Sequence, residues 1–278
     1  MNRGILFIII ASLFFSIINA LVKYLDHIPA IQIVFFRSLV SFMMSFYSVK
    51  KLGLKIFNKH SPLLFARGLS GALALSLYFY TIQHMPLATA VTILYLAPIF
   101  TVILAIFLVK EFPNKYQWPF FILSFIGAAI MQNFDPRVSL LHFSMGLTAA
   151  FFAGLAYNYI RLLKGKAHHS LIILYFPMVT IPFCLPFLKK LWVTPSLLEL
   201  LLLLSIGAFT QIAQIFMTKA YMLESAAKIS HFNYLTCFNA FIMGIIFFGE
   251  HLTVSSLIGL LLIFVGIIFS SKFSHKES

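Results

Sequence analysis

At 278 residues, with 61% apolar side chains, 10% charged ones and a mean hydropathy of +0.99, the chain lies far from soluble composition, in which about a quarter of residues carry charge. A formal charge of +13 would suit nucleic acid, but the 20 Lys and Arg residues fall in short clusters between apolar runs, a pattern of membrane topology rather than of a nucleic-acid surface. The two cysteines, Cys184 and Cys237, lie far apart inside apolar segments, which leaves neither a disulfide framework nor a CxxC metal or redox site.

A bilayer offers no water to bare backbone, so spanning segments must be helices or a closed barrel; unbroken apolar runs, rather than alternation of period two, select helices. Ten such segments are predicted, at 4–22, 30–48, 63–83, 88–109, 117–132, 144–163, 170–188, 198–218, 226–248 and 252–271, giving an all-α membrane protein. The first, within MNRGILFIIIASLFFSIINALVKYL, imitates a secretion signal but lacks a small-x-small cleavage site and is kept as a retained span. Turn chemistry marks His84-Met85-Pro86, Pro113-Asn114, Asp135-Pro136 and Thr194-Pro195-Ser196. Pro177, Pro182 and Pro186 predict a kinked or shortened seventh span.

The chain repeats itself at an offset of 139 residues, which pairs Ala88 with Ala227, Tyr95 with Tyr234, Leu96 with Leu235, Glu111 with Glu250, Phe125 with Phe264 and Gly127 with Gly266. Apolar coincidences alone would be weak. A glutamate closing an apolar run in both copies, with a glycine sixteen residues further on, makes two units, 1–139 and 140–278. Five spans per unit is an odd number, so the second unit enters from the opposite side and the repeat is inverted. With the N-terminus cytoplasmic, fifteen Lys and Arg residues fall on the inner side, four on the outer side, and Arg37 within the second span. That bias predicts both termini in the cytoplasm.

Polar side chains within spans must face protein or water, so polar stripes at helical spacing reveal the inward faces. The first span aligns Ser12, Ser16, Asn19 and Lys23; the third, Gly71, Ala74, Tyr78 and Thr81; the fourth offers Thr92 and Tyr95 ahead of Pro98. The sixth aligns Gly154, Asn158 and Arg161 beside Tyr157, the eighth Gln211, Gln214, Thr218 and Tyr221, and the ninth places His231 with Tyr234. From these, Asn19, Tyr78, Tyr95, Asn158, Gln211, Gln214, His231 and Tyr234 are the candidate solute-binding residues, although the asparagines would equally serve to bond neighbouring helices. Arg37, Pro98, Glu111 and Glu250 are candidates for structural or gating roles; Arg37, about seven residues inside its span, either serves function there or snorkels to the interface. Arg67 and Lys219 are read as surface charges that set orientation. All seven acidic residues fall at or beyond span ends, so no carboxylate relay is predicted. No GxSxG, HExxH, P-loop or acidic metal pair occurs, and neither catalysis, a cofactor nor a bound metal is expected.

The copies LYLAPIFTVILAIFLVKE and NYLTCFNAFIMGIIFFGE resemble the repeated half of the drug/metabolite transporter superfamily, EamA group, through Tyr95, Pro98, Glu111 and Gly127, then Tyr234, Glu250 and Gly266; IQIVFFRSLVSF looks like that family's second helix, with Arg37. Cys237 stands where the family pattern favours proline. The resemblance implies a ten-helix carrier of the bacterial inner membrane that moves a small organic metabolite through a central cavity by alternating access, as a monomer or homodimer. FFRSLVSF, ARGLSGALALSLYFYTIQ and LWVTPSLLEL are somewhat similar to S-adenosylmethionine uptake carriers, which would make an amino acid or an amino-acid derivative the solute. The rival expectation, an integral-membrane enzyme acting on lipid or isoprenoid, needs acidic or histidine clusters at one membrane face.

Overall fold

The computed structural model describes residues 3–110, 112, 114–134, 137–223, 226–251 and 253–274; within these, the side chains of 131–134, 226–235, 237, 267 and 270–274 are outside the description. Eleven α-helices and one 3₁₀ turn, with no strand, make up the described residues: α1 (Arg3–Tyr24), α2 (Ala30–Lys51), α3 (Ser61–His84), α4 (Leu87–Leu94), α5 (Ala97–Leu108), α6 (Trp118–Phe134), α7 (Leu140–Leu163), α8 (His169–Leu191), α9 (Leu197–Leu223), α10 (Ala226–Phe248) and α11 (Val254–Ser274). Seven described stretches are long and apolar enough to cross a bilayer: α1, α2, α3, α4 with α5, α7, α8 and α9. The helix α6 has 17 residues, and shorter apolar helical stretches occupy Phe238–Phe248 and Val254–Gly266.

Two segments differ from the sequence reading. The fourth is not one helix but two, because Pro98 has no N–H to return to the Leu94 carbonyl and its ring crowds that turn. The chain adjusts by tightening: the Tyr95 amide donates to Thr92 O at 3.0 Å and the Leu96 amide to Ile93 O at 3.0 Å, after which α5 starts with Pro98 in its first turn. The seventh segment, by contrast, is neither broken nor shortened by its three prolines. It runs as the continuous helix α8 from His169 to Leu191, held by burial against α2, α3 and α9.

Helix packing follows a doubled pattern. The helix α3 packs on α7 as α1 packs on α9; α3 lies on α8 as α2 lies on α9; α1 meets α10 as α4 and α5 meet α7; and α2 with α8, and α6 with α11, complete the set. Glycines set the closest of these approaches. A Cβ at Gly68 would come within 2.9 Å of Val179 Cγ2 and one at Gly207 within 2.5 Å of Val40 Cβ, while Gly127 leaves 2.6 Å to the Gly259 carbonyl and Gly266 leaves 2.5 Å to the Phe120 carbonyl. Both the glycines and their neighbours are 139 positions apart within each pair. The Ser124 hydroxyl, moreover, lies 3.4 Å from the carbonyl of Ile263, its own counterpart at that offset. Small residues serve here as in other membrane bundles, allowing backbones to approach where apolar burial gives no preference for protein over lipid. The residues that follow α5 and precede α11 behave alike too: Lys110 at φ 61° and Gly249 at φ 58°, again 139 apart, both take the left-handed conformation.

Candidate functional site

Where the halves meet, the broken helix leaves room. A cavity of about 150 Å³ lies between α1, α2, α3, the α4–α5 break, α7, α8, α9 and α10. That is about ten times the space one water requires, room enough for a small organic molecule. Asn19, Tyr78, Tyr95 and Gln214 line it, as do Pro98 and Arg37. The α4–α5 break is what brings Tyr95 there: Tyr95 and Leu96 stand between the two half-helices, where the chain has left regular helical geometry. Aromatic rings supply much of the remaining wall, with Tyr157 and Tyr221 stacked at 5.2 Å between centroids and Phe15, Phe79 and Phe176 around them.

Two candidates lie elsewhere. Gln211, one turn from Gln214, points at α2, where its Oε1 accepts from Ser41 Oγ at 2.6 Å and Ser45 Oγ at 3.1 Å. Asn158 donates through Nδ2 to the carbonyls of Thr101 at 2.9 Å and Gly154 at 3.1 Å, which ties α7 to α5. Neither is among the lining residues. Glu111 lies outside the described residues, and so do the side chains of His231 and Tyr234.

Arg37 does not snorkel. It is 2% exposed, donates from Nε to Thr210 Oγ1 at 2.8 Å, and rests over the rings of Phe79 and Phe176, with its guanidinium carbon 5.6 and 5.2 Å from their centroids. The reading of Arg67 as a surface charge is corrected outright. Arg67 is 3% exposed, lines the same cavity, lies 5.0 Å from the centroid of the same Phe176 ring, and reaches Gln214 Oε1 from Nη2 at 3.4 Å. It is enclosed by Phe176 of α8 and Gln214 of α9, while the Tyr175 hydroxyl ties the segment ahead of α3 to α8 through Ile56 O at 3.0 Å and Ser61 Oγ at 2.9 Å. Gly71, one turn on from Arg67, admits the Phe176 ring, since a Cβ there would come within 2.7 Å of it. Phe176 gave no signal in the sequence, being one apolar residue in an apolar segment. Arg67 did give one, through its spacing to Gly71 and Tyr78 on the inward stripe.

Glu250 stands away from the cavity and joins the halves. Gly249 turns the chain at the end of α10, the Glu250 amide returns to Gly244 O at 3.0 Å, and Gly244 leaves space for the carboxylate. Both carboxylate oxygens accept from the Leu87 amide, at 2.8 and 2.9 Å, at the first residue of α4. A carboxylate there meets unpaired N–H groups and the positive end of the helix dipole. Lys23 reaches across from α1, 3.7 Å from Glu250 Oε1 and donating to Met85 O at 2.6 Å.

The cavity thus presents two guanidinium groups, aromatic faces and amides. Among the described residues no cluster of His, Cys, Asp and Glu is placed to hold a metal. Such a lining can hold a solute by charge and by stacking. The EamA-like transporter family matches residues 2–132 and again 141–272. The chain belongs to that family. This EamA-like chain is 33% identical over 244 residues to the pseudopaline exporter CntI of Pseudomonas aeruginosa, covering 86% of each. It is 26% identical to the S-adenosylmethionine uptake transporter of Rickettsia prowazekii, covering 99% of this chain and 94% of the relative. A solved crystal structure shares its fold with a TM-score of 0.68 over 99% of both chains at 15% identity. The EamA-like protein is therefore a multi-pass membrane transporter of a small molecule and not an enzyme.

Proposed function

We propose that this transporter is a carrier of the bacterial inner membrane that moves an amino acid or amino-acid derivative by alternating access. Two inverted five-helix halves, 1–139 and 140–278, with ten crossings and both termini cytoplasmic, would rock about the cavity between them. The observation that carries this reading is the doubled packing: helix pairs, glycine approaches and the left-handed residues Lys110 and Gly249 all recur at one offset, and the cavity lies between the two sets. The family match, once in each half, supports the same division. So does the Lys and Arg bias, which withdrawal of Arg67 from the inner side barely alters. Asn19, Tyr78, Tyr95 and Gln214 would contact the solute, with Pro98 fixing the break that presents Tyr95. Relatives named as an exporter and as an uptake transporter leave both directions open to the same architecture, because direction in a carrier follows the gradients and not the fold.

The test is counterflow into liposomes carrying the purified protein as a monomer or homodimer, with labelled amino acids and S-adenosylmethionine as probes. Tyr95→Ala and Gln214→Ala should each reduce exchange while leaving membrane insertion intact. Unchanged exchange in both would reject the placement of the site. An impermeant reagent applied to intact cells should reach neither terminus, and finding the two ends on different sides would overturn the inverted arrangement.

A further inference from the structure

We infer that the solute is a net-anionic carboxylate, and that Arg37 and Arg67 are the pair that holds it. The inference rests on the carrier reading and narrows it to a class of solute. A guanidinium remains protonated in any protein setting, so the cavity carries two fixed positive charges, both buried and both resting on the Phe176 ring. Their own contacts do not neutralise them. Arg37 spends Nε on the Thr210 hydroxyl and Arg67 spends Nη2 on the Gln214 amide oxygen, both neutral partners. Arg37 Nη1, Arg67 Nε and Arg67 Nη1 are buried with no acceptor. Among the described residues no lining residue of the cavity is acidic, and the described carboxylates are engaged at helix ends: Glu250 on Leu87 and Lys23, Glu199 on His27 and the Ser196 amide, with Asp26 beside His27.

Two uncompensated cations side by side in a low-dielectric interior are costly; a bound carboxylate would accept from the vacant N–H groups in the fork geometry that guanidinium favours. A solute with excess positive charge meets repulsion in the same place. A net-negative one gains from both arginines, and the aromatic walls and the Gln214 side chain receive its remaining surface. The recognition element is therefore the solute's acid end.

Vesicles carrying the full-length protein are loaded with a soluble metabolite extract from bacterial cells, and the solutes released are identified by mass spectrometry. Released solutes should be predominantly carboxylates of net negative charge, and R37Q and R67Q should each lower their release at least tenfold. In parallel, both variants should melt at or above the wild-type temperature when empty, because each removes an uncompensated charge, whereas citrate should raise the melting temperature of wild type alone and putrescine that of none. Release confined to neutral or cationic solutes would overturn the inference and leave the carrier standing. Undiminished carboxylate release from both variants would overturn it too. No release from wild-type vesicles would remove the carrier reading and this one with it. Should either variant fail to fold, the citrate and putrescine responses of wild type decide, and equal responses refute the assignment.

Discussion

Glu250→Ala is expected to unlatch one end of the carrier. The carboxylate belongs to the second half of the chain, while Leu87 and Lys23 belong to the first, so under the proposed alternating access these contacts would break when the halves part at this end. Losing the charged acceptor of a backbone N–H costs about 1.5–3 kcal/mol, and the partly buried Lys23 contact adds up to about 1 kcal/mol. The sum, about 1.5–4 kcal/mol, corresponds to a roughly 10- to 700-fold shift away from the closed arrangement at about 1.4 kcal/mol per tenfold. The reporter is Leu94→Cys, a cavity-lining position, in a background with Cys184→Ala and Cys237→Ala, labelled by an impermeant maleimide added outside intact cells. Labelling should accelerate by about 10-fold or more in Glu250→Ala and by less in Glu250→Gln, which keeps an acceptor for Leu87 but loses the charge. An unchanged labelling rate in an inserted Glu250→Ala protein would refute the latch.

Lys110→Gly should stabilise the protein by about 1 kcal/mol, because the left-handed backbone at φ 61° costs a residue with a Cβ about that much and costs glycine little; thermal melting in detergent measures it. Gly127→Ala and Gly266→Ala should both destabilise, by about 1–3 kcal/mol each, since the added methyl meets a backbone carbonyl that has no rotamer to move; similar losses in the two are the expected result. Gln211→Leu should lower stability through the stranded Ser41 hydroxyl with KM for the transported solute unchanged, whereas Gln214→Ala should raise KM. The reverse pattern in transport kinetics would exchange their roles.

Much of the helical frame is legible in the sequence because lipid enforces it: an apolar run of bilayer length has few alternatives to a helix. What escapes is the response to proline, which depends on surroundings. Pro98 breaks its segment beside the cavity, while Pro177, Pro182 and Pro186 sit in a helix pressed against three others and leave it continuous. At the site, helical spacing identifies the faces of Tyr78, Tyr95 and Gln214 but not the choice between a solute and a neighbouring helix. Gln211 and Asn158 share their stripes and are engaged by serine hydroxyls and backbone carbonyls instead. Arg67 is misplaced because distance along the chain from the span end does not measure depth, and its contacts with Phe176 of α8 and Gln214 of α9 are tertiary features no local pattern contains.

Phe176 stands 139 residues after Arg37, and the two touch. Positions one offset of 139 apart have thus taken unlike chemistry, a cation contributed by one and a π face by the other. A molecule held beside them would find the compartment handed: under the proposed mechanism its acid end would be drawn to the same wall whichever side of the membrane the compartment faces. It would cross without turning over, and enantiomers of one solute should be carried at different rates.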